Sequence, residues 1–445
     1  MSTELIDDGV SVVKTAEQKR DSRRAQIASF MGTTVEYYDF LLYASAAGLV
    51  FPQIFFSDLD PKLGATLSFV ILLSGYIARP IGGLVFGHFG DLFGRKNVLF
   101  ITLLLMGFVS VAIGLLPSYA SIGVAAPLAL VMLRMIQGLA MGGEWGGATL
   151  MSMEHADDKS RGLGASIAAI GGPAGAVLAT VVLSLFSRMP DEQFLSWGWR
   201  VPFLLSALIV LVGLYLRLKV TESPDFQRAL EEAENAHDKA LPIKTVLTKF
   251  PFQVVLGAVI AAAPLAVQGL LGSFMVPYVV ASGTVDRQGA LLMLAGGYAV
   301  QILTLPFFAW LSDRFGRKPV MIGGGIVSAA LVFPVLAMLE STSPIVVFFA
   351  FFVGLAIVQS SMYGAVGAFL SEKFEVEARY TGASLSFQLG SILGAGSIPL
   401  VAVQIVTPEV GTTYLGWYVV GWFVLAVIAV FLSKETANKT AAELG

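Results

Sequence analysis

Twelve mostly apolar stretches recur along this 445-residue chain, each near the roughly 20 residues that a helix needs to cross a bilayer. They fall at 26–51, 65–89, 97–116, 124–152, 162–187, 201–218, 252–280, 289–311, 319–339, 344–370, 381–405 and 413–433. Backbone groups in lipid must be hydrogen-bonded within their own segment, so each stretch is expected to be a helix. The fold class that follows is an all-α polytopic membrane protein of twelve transmembrane helices, with the lipid bilayer as a partner. Composition points the same way. Only 13% of residues are charged and 56% are hydrophobic, with mean hydropathy +0.77. A soluble chain carries about 25% charged residues, and half of that cannot coat a globule of this size. A soluble enzyme is therefore disfavoured. With 28 basic and 31 acidic residues there is no basic footprint for a nucleic acid. Cysteine is absent and His88, His155 and His237 are scattered, so neither thiolate chemistry nor a metal site is expected.

Loop charge sets the orientation. Of the 28 Lys and Arg, 22 lie in the tails and loops on the N-terminal side of the membrane and 4 on the other. By the positive-inside rule both termini are cytoplasmic, in a cell (inner) membrane. The first span is too long and too acidic for a cleavable signal. A charged interruption with Glu222, Glu231, Glu232, Glu234 and Pro242 reads as a cytoplasmic linker with a short helix. The expected organisation is a tail (1–25), a six-helix bundle (26–218), the linker (219–251), a second six-helix bundle (252–433) and a tail (434–445), frayed after Lys434.

The chain also repeats itself. GHFGDLFGRK at 87–96 returns as AWLSDRFGRK at 309–318. The segments 154–161 and 372–379, each beginning with Glu and ending with Arg, are a second matching pair. Two halves with matching loops imply a parallel duplication about an axis along the membrane normal, hence two pseudo-symmetric bundles. An aspartate in such a loop can cap a helix of the other half or pair with its arginine. Asp91 is thus expected near the eleventh span and Arg379, and Asp313 near the fifth span and Arg161. With Arg95, Lys96 and Arg317 these residues would form a cytoplasmic gate; the alternative is that they only anchor topology. In the second copy Ser312 replaces Gly90 and Trp310 replaces His88, so the two latches are expected to differ.

Ionisable residues within spans are functional candidates by default. Five stand out, all in the N-terminal half: Glu36, Asp39, Arg79, Arg134 and Glu144. Glu36 and Asp39 share a helix face. Two close carboxylates cannot both ionise easily in a dry site, so one is expected to hold a proton near neutral pH. Asp39 is the first candidate for proton carrier, with Glu36 and Glu144 as rivals. Arg134 and Arg79 supply fixed positive charge for an anionic substrate. A static ion-pair network is the alternative. Tyr43 and Gln137 lie on the same spans as substrate-binding candidates. The C-terminal half offers neutral groups instead: Gln268, Gln301, Gln359, Gln388, Tyr278, Tyr298 and Tyr363. Amides and phenols bind hydroxyls and carboxylates without adding charge; each glutamine can equally be a helix–helix bond. The glycine-rich runs at 138–147 and 171–176 would let the fourth and fifth spans slide, and Pro173, Pro264 and Pro399 can break helices locally.

VEYYDFLLYA (35–44), ARPIGGLVFGHFGDLFGRK (78–96), RMIQGLAMGGEWGGA (134–148) and SWGWRVPF (196–203) resemble the metabolite:proton symporter family of the major facilitator superfamily. That family includes carriers of shikimate, 2-oxoglutarate, citrate and proline or betaine, and the resemblance is nearest to bacterial shikimate transporters. It implies proton-driven uptake of a small organic acid by alternating access. It also implies that Arg134 and the first-span acids matter. The protein is expected to act as a monomer, not as an enzyme, with no cofactor beyond the proton gradient.

Overall fold

Apolar runs of bilayer length become helices almost where the sequence places them. The computed structural model describes residues 16–93, 95–154, 156, 160–218 and 242–437. Within them run α1 (Ala16–Leu49), α2 (Pro61–Phe93), α3 (Arg95–Leu115), α4 (Ala125–Met153), α5 (Arg161–Phe186), α6 (Asp191–Leu214), α7 (Pro251–Ala281), α8 (Arg287–Phe315), α9 (Arg317–Leu339), α10 (Pro344–Ser371), α11 (Ala378–Ile405) and α12 (Thr413–Leu432). Ten are long and apolar enough to cross a membrane; α3 adds a shorter apolar run, Phe100–Leu115. The first helix is the least apolar because it carries the charged run from Glu17 to Arg24 as well as Glu36 and Asp39.

The bundles are built by repeated pairings. In the first half α1 packs on α5 and α2 on α4; in the second, α7 packs on α11 and α8 on α10. The halves meet through α5 with α8 and α2 with α11, again a symmetric pair. Glycine permits the closest approaches. A Cβ at Gly142 would lie 1.9 Å from the Arg79 carbonyl oxygen, and one at Gly138 would lie 2.1 Å from that of Gly75. Gly138 and Gly142 of α4 thus serve its seam with α2, while Gly146 and Gly147 face Ser384 and Tyr380 of α11. Exposed Phe108, Leu208, Leu211, Ile326, Trp417 and Phe431 on the outer helices give the lipid-facing surface.

Three departures have physical causes. The sixth span begins at Asp191 rather than 201, because a polar first turn and a π turn at Phe194–Gly198 precede its apolar run. Further π turns interrupt α7 (Leu270–Met275), α10 (Gly354–Gln359) and α11 (Ile392–Gly396); the first follows Pro264 and the last precedes Pro399. The stretch after Lys434 is not frayed up to residue 437. Glu435 accepts hydrogen bonds from the backbone of Arg317 (3.1 Å) and Lys318 (2.9 Å), closing the start of α9. Of the expected linker, Pro242–Lys249 is a short helix. Residues 219–241, 1–15 and 438–445 lie outside the described residues.

Candidate functional site

The site grows from α4. Arg134 is fully buried, and Gly75 of α2 makes room for it: a Cβ there would lie 2.5 Å from the guanidinium Nε. Its Cζ stacks 4.0 Å from the ring centres of both Phe40 and Tyr43 on α1. Arg79 packs against the same Phe40 at 3.9 Å and against Tyr76 at 4.6 Å, and donates to Met141 Sδ at 3.4 Å. Arg134 Nε and Nη2 and Arg79 Nε have no hydrogen-bond partner among the described residues. Two guanidiniums are thus held in an aromatic cage, with donors that no described residue satisfies. Removing two such charges from water costs several kcal/mol each unless an anion or strong acceptors compensate.

From Arg134 a polar line leads to Asp39. Arg134 Nη1 donates to Gln137 Oε1 (2.5 Å), and Gln137 Nε2 donates to Ser110 Oγ (3.2 Å). The hydroxyls of Ser110 and Ser206 face the Asp39 carboxylate, whose oxygens have no partner within 3.5 Å among the described residues. Asp39 is 1% exposed; Glu36 and Glu144 are 3% exposed. Glu36 lies beside Tyr37, and Glu144 follows the Gly142–Gly143 turn of α4.

The C-terminal half contributes neutral groups. Tyr363 of α10 lies beside Tyr37 and Trp145. Gln359 and Tyr298 are each 2% exposed, with the Gln359 carbonyl and the Tyr298 hydroxyl unpartnered. Gln268 is 8% exposed on α7. Gln301 is a helix–helix bond, donating to the Leu355 carbonyl at 3.4 Å inside the π turn of α10. Gln388 donates across the halves to the Gly142 carbonyl at 3.4 Å. Tyr278 lies elsewhere: it donates to Glu340 Oε1 (3.4 Å), at the end of the bundle away from the Gly-Arg-Lys loop. Proximity in sequence to the polar residues of α7 does not bring it to the centre.

Closures lie on both sides. At the face carrying the Gly-Arg-Lys loop of residues 316–318, Asp313 accepts from the backbone N–H of Gly162 and Leu163, each at 2.8 Å, capping α5 beside Arg161. Arg317, 1% exposed, bridges Asp313 (2.5 Å) and Glu372 (3.0 Å), and Thr436 donates to Glu372 at 2.5 Å. Nearer the centre, Tyr380 donates to the Gly143 carbonyl and Trp145 stacks on Phe387. Arg379 donates to the Phe374 carbonyl at 3.4 Å within its own half. The side chains of Asp91, Arg95 and Lys96 lie outside the described residues. At the opposite face Arg287 pairs with Asp191 (2.9 Å), and Gln404 donates to Thr66 (2.8 Å). Contacts between the two halves are thus present at both faces.

The Glu435 carboxyl belongs to the tail and not to a span. Burial pushes its pKa up, but the N–H groups of Ala437, Lys318, Thr436 and Arg317 outweigh that and hold it below the usual carboxylate range.

Reading charges alone misses Phe40, Tyr76, Ser110, Trp145, Phe387 and Glu435. Tyr76 is one helical turn before Arg79, a spacing that marks a shared face. Nothing in sequence ties Ser110 to Asp39.

The sequence profile described as "Sugar (and other) transporter" matches residues 24–445. This chain belongs to that transporter family, within the major facilitator superfamily. An inner membrane metabolite transport protein of Escherichia coli K12 is 39% identical, over 93% of this chain and 94% of that protein. The shikimate transporter of the same organism is also 39% identical, over 87% and 88%. In fold the transporter is similar to a crystal structure of a D-xylose-proton symporter, with TM-score 0.72, 19% identity, and coverage of 94% and 99%. The chain is a membrane-spanning transporter and not an enzyme.

Proposed function

We propose that this transporter couples uptake of a small organic carboxylate to proton entry, by alternating access, with shikimate or a related hydroxylated or aromatic acid as the substrate. The observation that carries this reading is Arg134, fully buried in an aromatic cage with two nitrogens unpartnered. A carboxylate is the group that a planar guanidinium fork binds best. Asp39 is the proton carrier, linked to Arg134 through Gln137 and Ser110, with Glu36 and Glu144 as rivals. The driving force is the proton gradient, without a resident cofactor. The Gly-Arg-Lys loops and both termini face the cytoplasm, as loop charge requires. Residues 26–218 and 252–433 rock as two bundles joined by the linker 219–251, in a protein that works as a monomer. Asp313, Arg317, Arg161 and Arg379, with Asp91, Arg95 and Lys96, form the inner gate.

A zwitterion such as proline or betaine is the second reading, favoured by the aromatic rings of Phe40, Tyr43 and Tyr76, which suit a quaternary ammonium. Two guanidiniums already occupy those ring faces, which argues for the anion. Counterflow in proteoliposomes with a panel of labelled acids and zwitterions separates the two. Exchange of carboxylates alone supports the first; exchange of betaine but not of shikimate reverses the order.

A further inference from the structure

Among the described residues, the buried groups around the site without a hydrogen-bond partner include the N–H groups of Arg134 and Arg79, the Asp39 carboxylate and the Tyr43 hydroxyl in the first half, and the Tyr298 hydroxyl, the Gln359 carbonyl and the Ser384 hydroxyl in the second. Tyr298 stands on α8, and its hydroxyl lies over Gly272 in the π turn Leu270–Met275 of α7. A Cβ at Gly272 would meet that hydroxyl at 2.7 Å, so only glycine leaves it in place. Across the interface Tyr298 is within electrostatic reach of Tyr76, which packs edge-on against Phe40 at 4.8 Å and under Arg79. Gln359 ends a second π turn, Gly354–Gln359, and such turns are frequent at functional sites. A buried phenol without a partner is costly, and a phenol can both donate to and accept from a hydroxyl.

We infer that Tyr298 is a specificity residue: its hydroxyl, seated over Gly272, hydrogen-bonds a hydroxyl group that the substrate carries away from its carboxylate, with Gln359 as a second partner. This rests on the carboxylate reading of Arg134 given above. The division follows from chemistry, since the cationic half holds the anion and the neutral half reads its uncharged polar outline. A site built to bond a hydroxyl rejects an analogue that lacks it, because the site's own polar groups are then left unpaired.

The test uses the full chain, purified in lipid nanodiscs, and three matched pairs of acids: shikimate and cyclohex-1-enecarboxylate, 4-hydroxybenzoate and benzoate, 3-hydroxypropionate and propionate. Affinities are measured for wild type, Tyr298→Phe and Gly272→Ala, with thermal melting as the check on folding. In at least one pair, wild type is expected to prefer the hydroxylated acid by about tenfold or more. In Tyr298→Phe that ratio should fall below about threefold, through weaker binding of the hydroxylated acid with its deoxy partner unchanged. Gly272→Ala, which displaces the hydroxyl without removing it, should shrink the ratio in the same direction. A wild type without preference, or a preference that survives in a folded variant, overturns the inference and leaves the carboxylate reading standing. Failure of all six acids to bind wild type overturns the carboxylate reading itself.

Discussion

Trp145 of α4 and Phe387 of α11 stack face to face across the two halves, ring centres 3.7 Å apart and planes 5° from parallel. Just before Trp145 on α4, and so nearer the centre, Gly142 and Gly143 accept from Gln388 and Tyr380 of α11. The stack is thus one of the barriers that a substrate leaving the centre toward the Gly-Arg-Lys face must part. An aromatic pair contributes only about 0.5–1.5 kcal/mol beyond its burial, small enough to break in each cycle. Trp145→Ala should bias the protein toward opening at that face. The chain has no cysteine, so Ser110→Cys, fully buried beside Asp39, reports access without background. Labelling of that cysteine from the Gly-Arg-Lys side should quicken about tenfold in Trp145→Ala, a bias of about 1.4 kcal/mol. An unchanged labelling rate would count against the stack as a barrier.

Arg134→Lys keeps the charge but loses the planar fork and its stacking on Phe40 and Tyr43. Carboxylate affinity should fall about tenfold or more, while melting in the absence of substrate stays close to wild type. Equilibrium binding by calorimetry reads this directly. Affinity within about twofold of wild type would mean that the guanidinium is not the carboxylate's partner.

Much of this was legible in the sequence. Apolar length fixed the twelve helices, because lipid leaves the backbone few alternatives. The loop repeat placed Asp313 at the start of the fifth span, where it caps Gly162 and Leu163. Buried charges named Asp39 and Arg134, since such residues are rare within spans. The rest was hidden because it depends on tertiary neighbours. Ser110 is one serine among many until Gln137 and Asp39 converge on it. Trp145 reads as lipid-facing or core until Phe387 covers it. Tyr278 looks like a ligand-reading phenol, yet the length of α7 carries it to Glu340 at the far end. Glu435 looked like part of a loose tail, and its role appears only once the backbone at Arg317 and Lys318 comes within 3.1 Å and 2.9 Å.

The Glu435 clamp carries a pH signature. Its carboxyl titrates below the ordinary glutamate value of about 4.3 in the folded protein, so it binds fewer protons there than when unfolded. Its stabilisation is therefore present above that ordinary value and fades as pH falls through the lower, folded value. Glu435→Gln should melt below wild type at pH 7, with the gap closing as pH falls below about 4. A gap of constant size across that range would show that the carboxylate charge is not what holds the tail.

Gly142→Ala tests the α2–α4 seam that positions both arginines. Its Cβ would sit 1.9 Å from the Arg79 carbonyl, so the helices must part. Overpacking of this kind costs about 1–3 kcal/mol. A lower melting temperature together with weaker carboxylate binding is expected; binding at wild-type strength would separate the seam from the site.

The coupling of Asp39 to Arg134 is tested most directly by following substrate and protons together in proteoliposomes. Wild type should acidify the lumen when substrate is added without an imposed gradient, and should accumulate substrate when a proton gradient is applied. Asp39→Asn, which keeps the shape but cannot carry a proton, should lose both while counterflow exchange persists within about threefold. Acidification by Asp39→Asn at the wild-type rate would contradict the account.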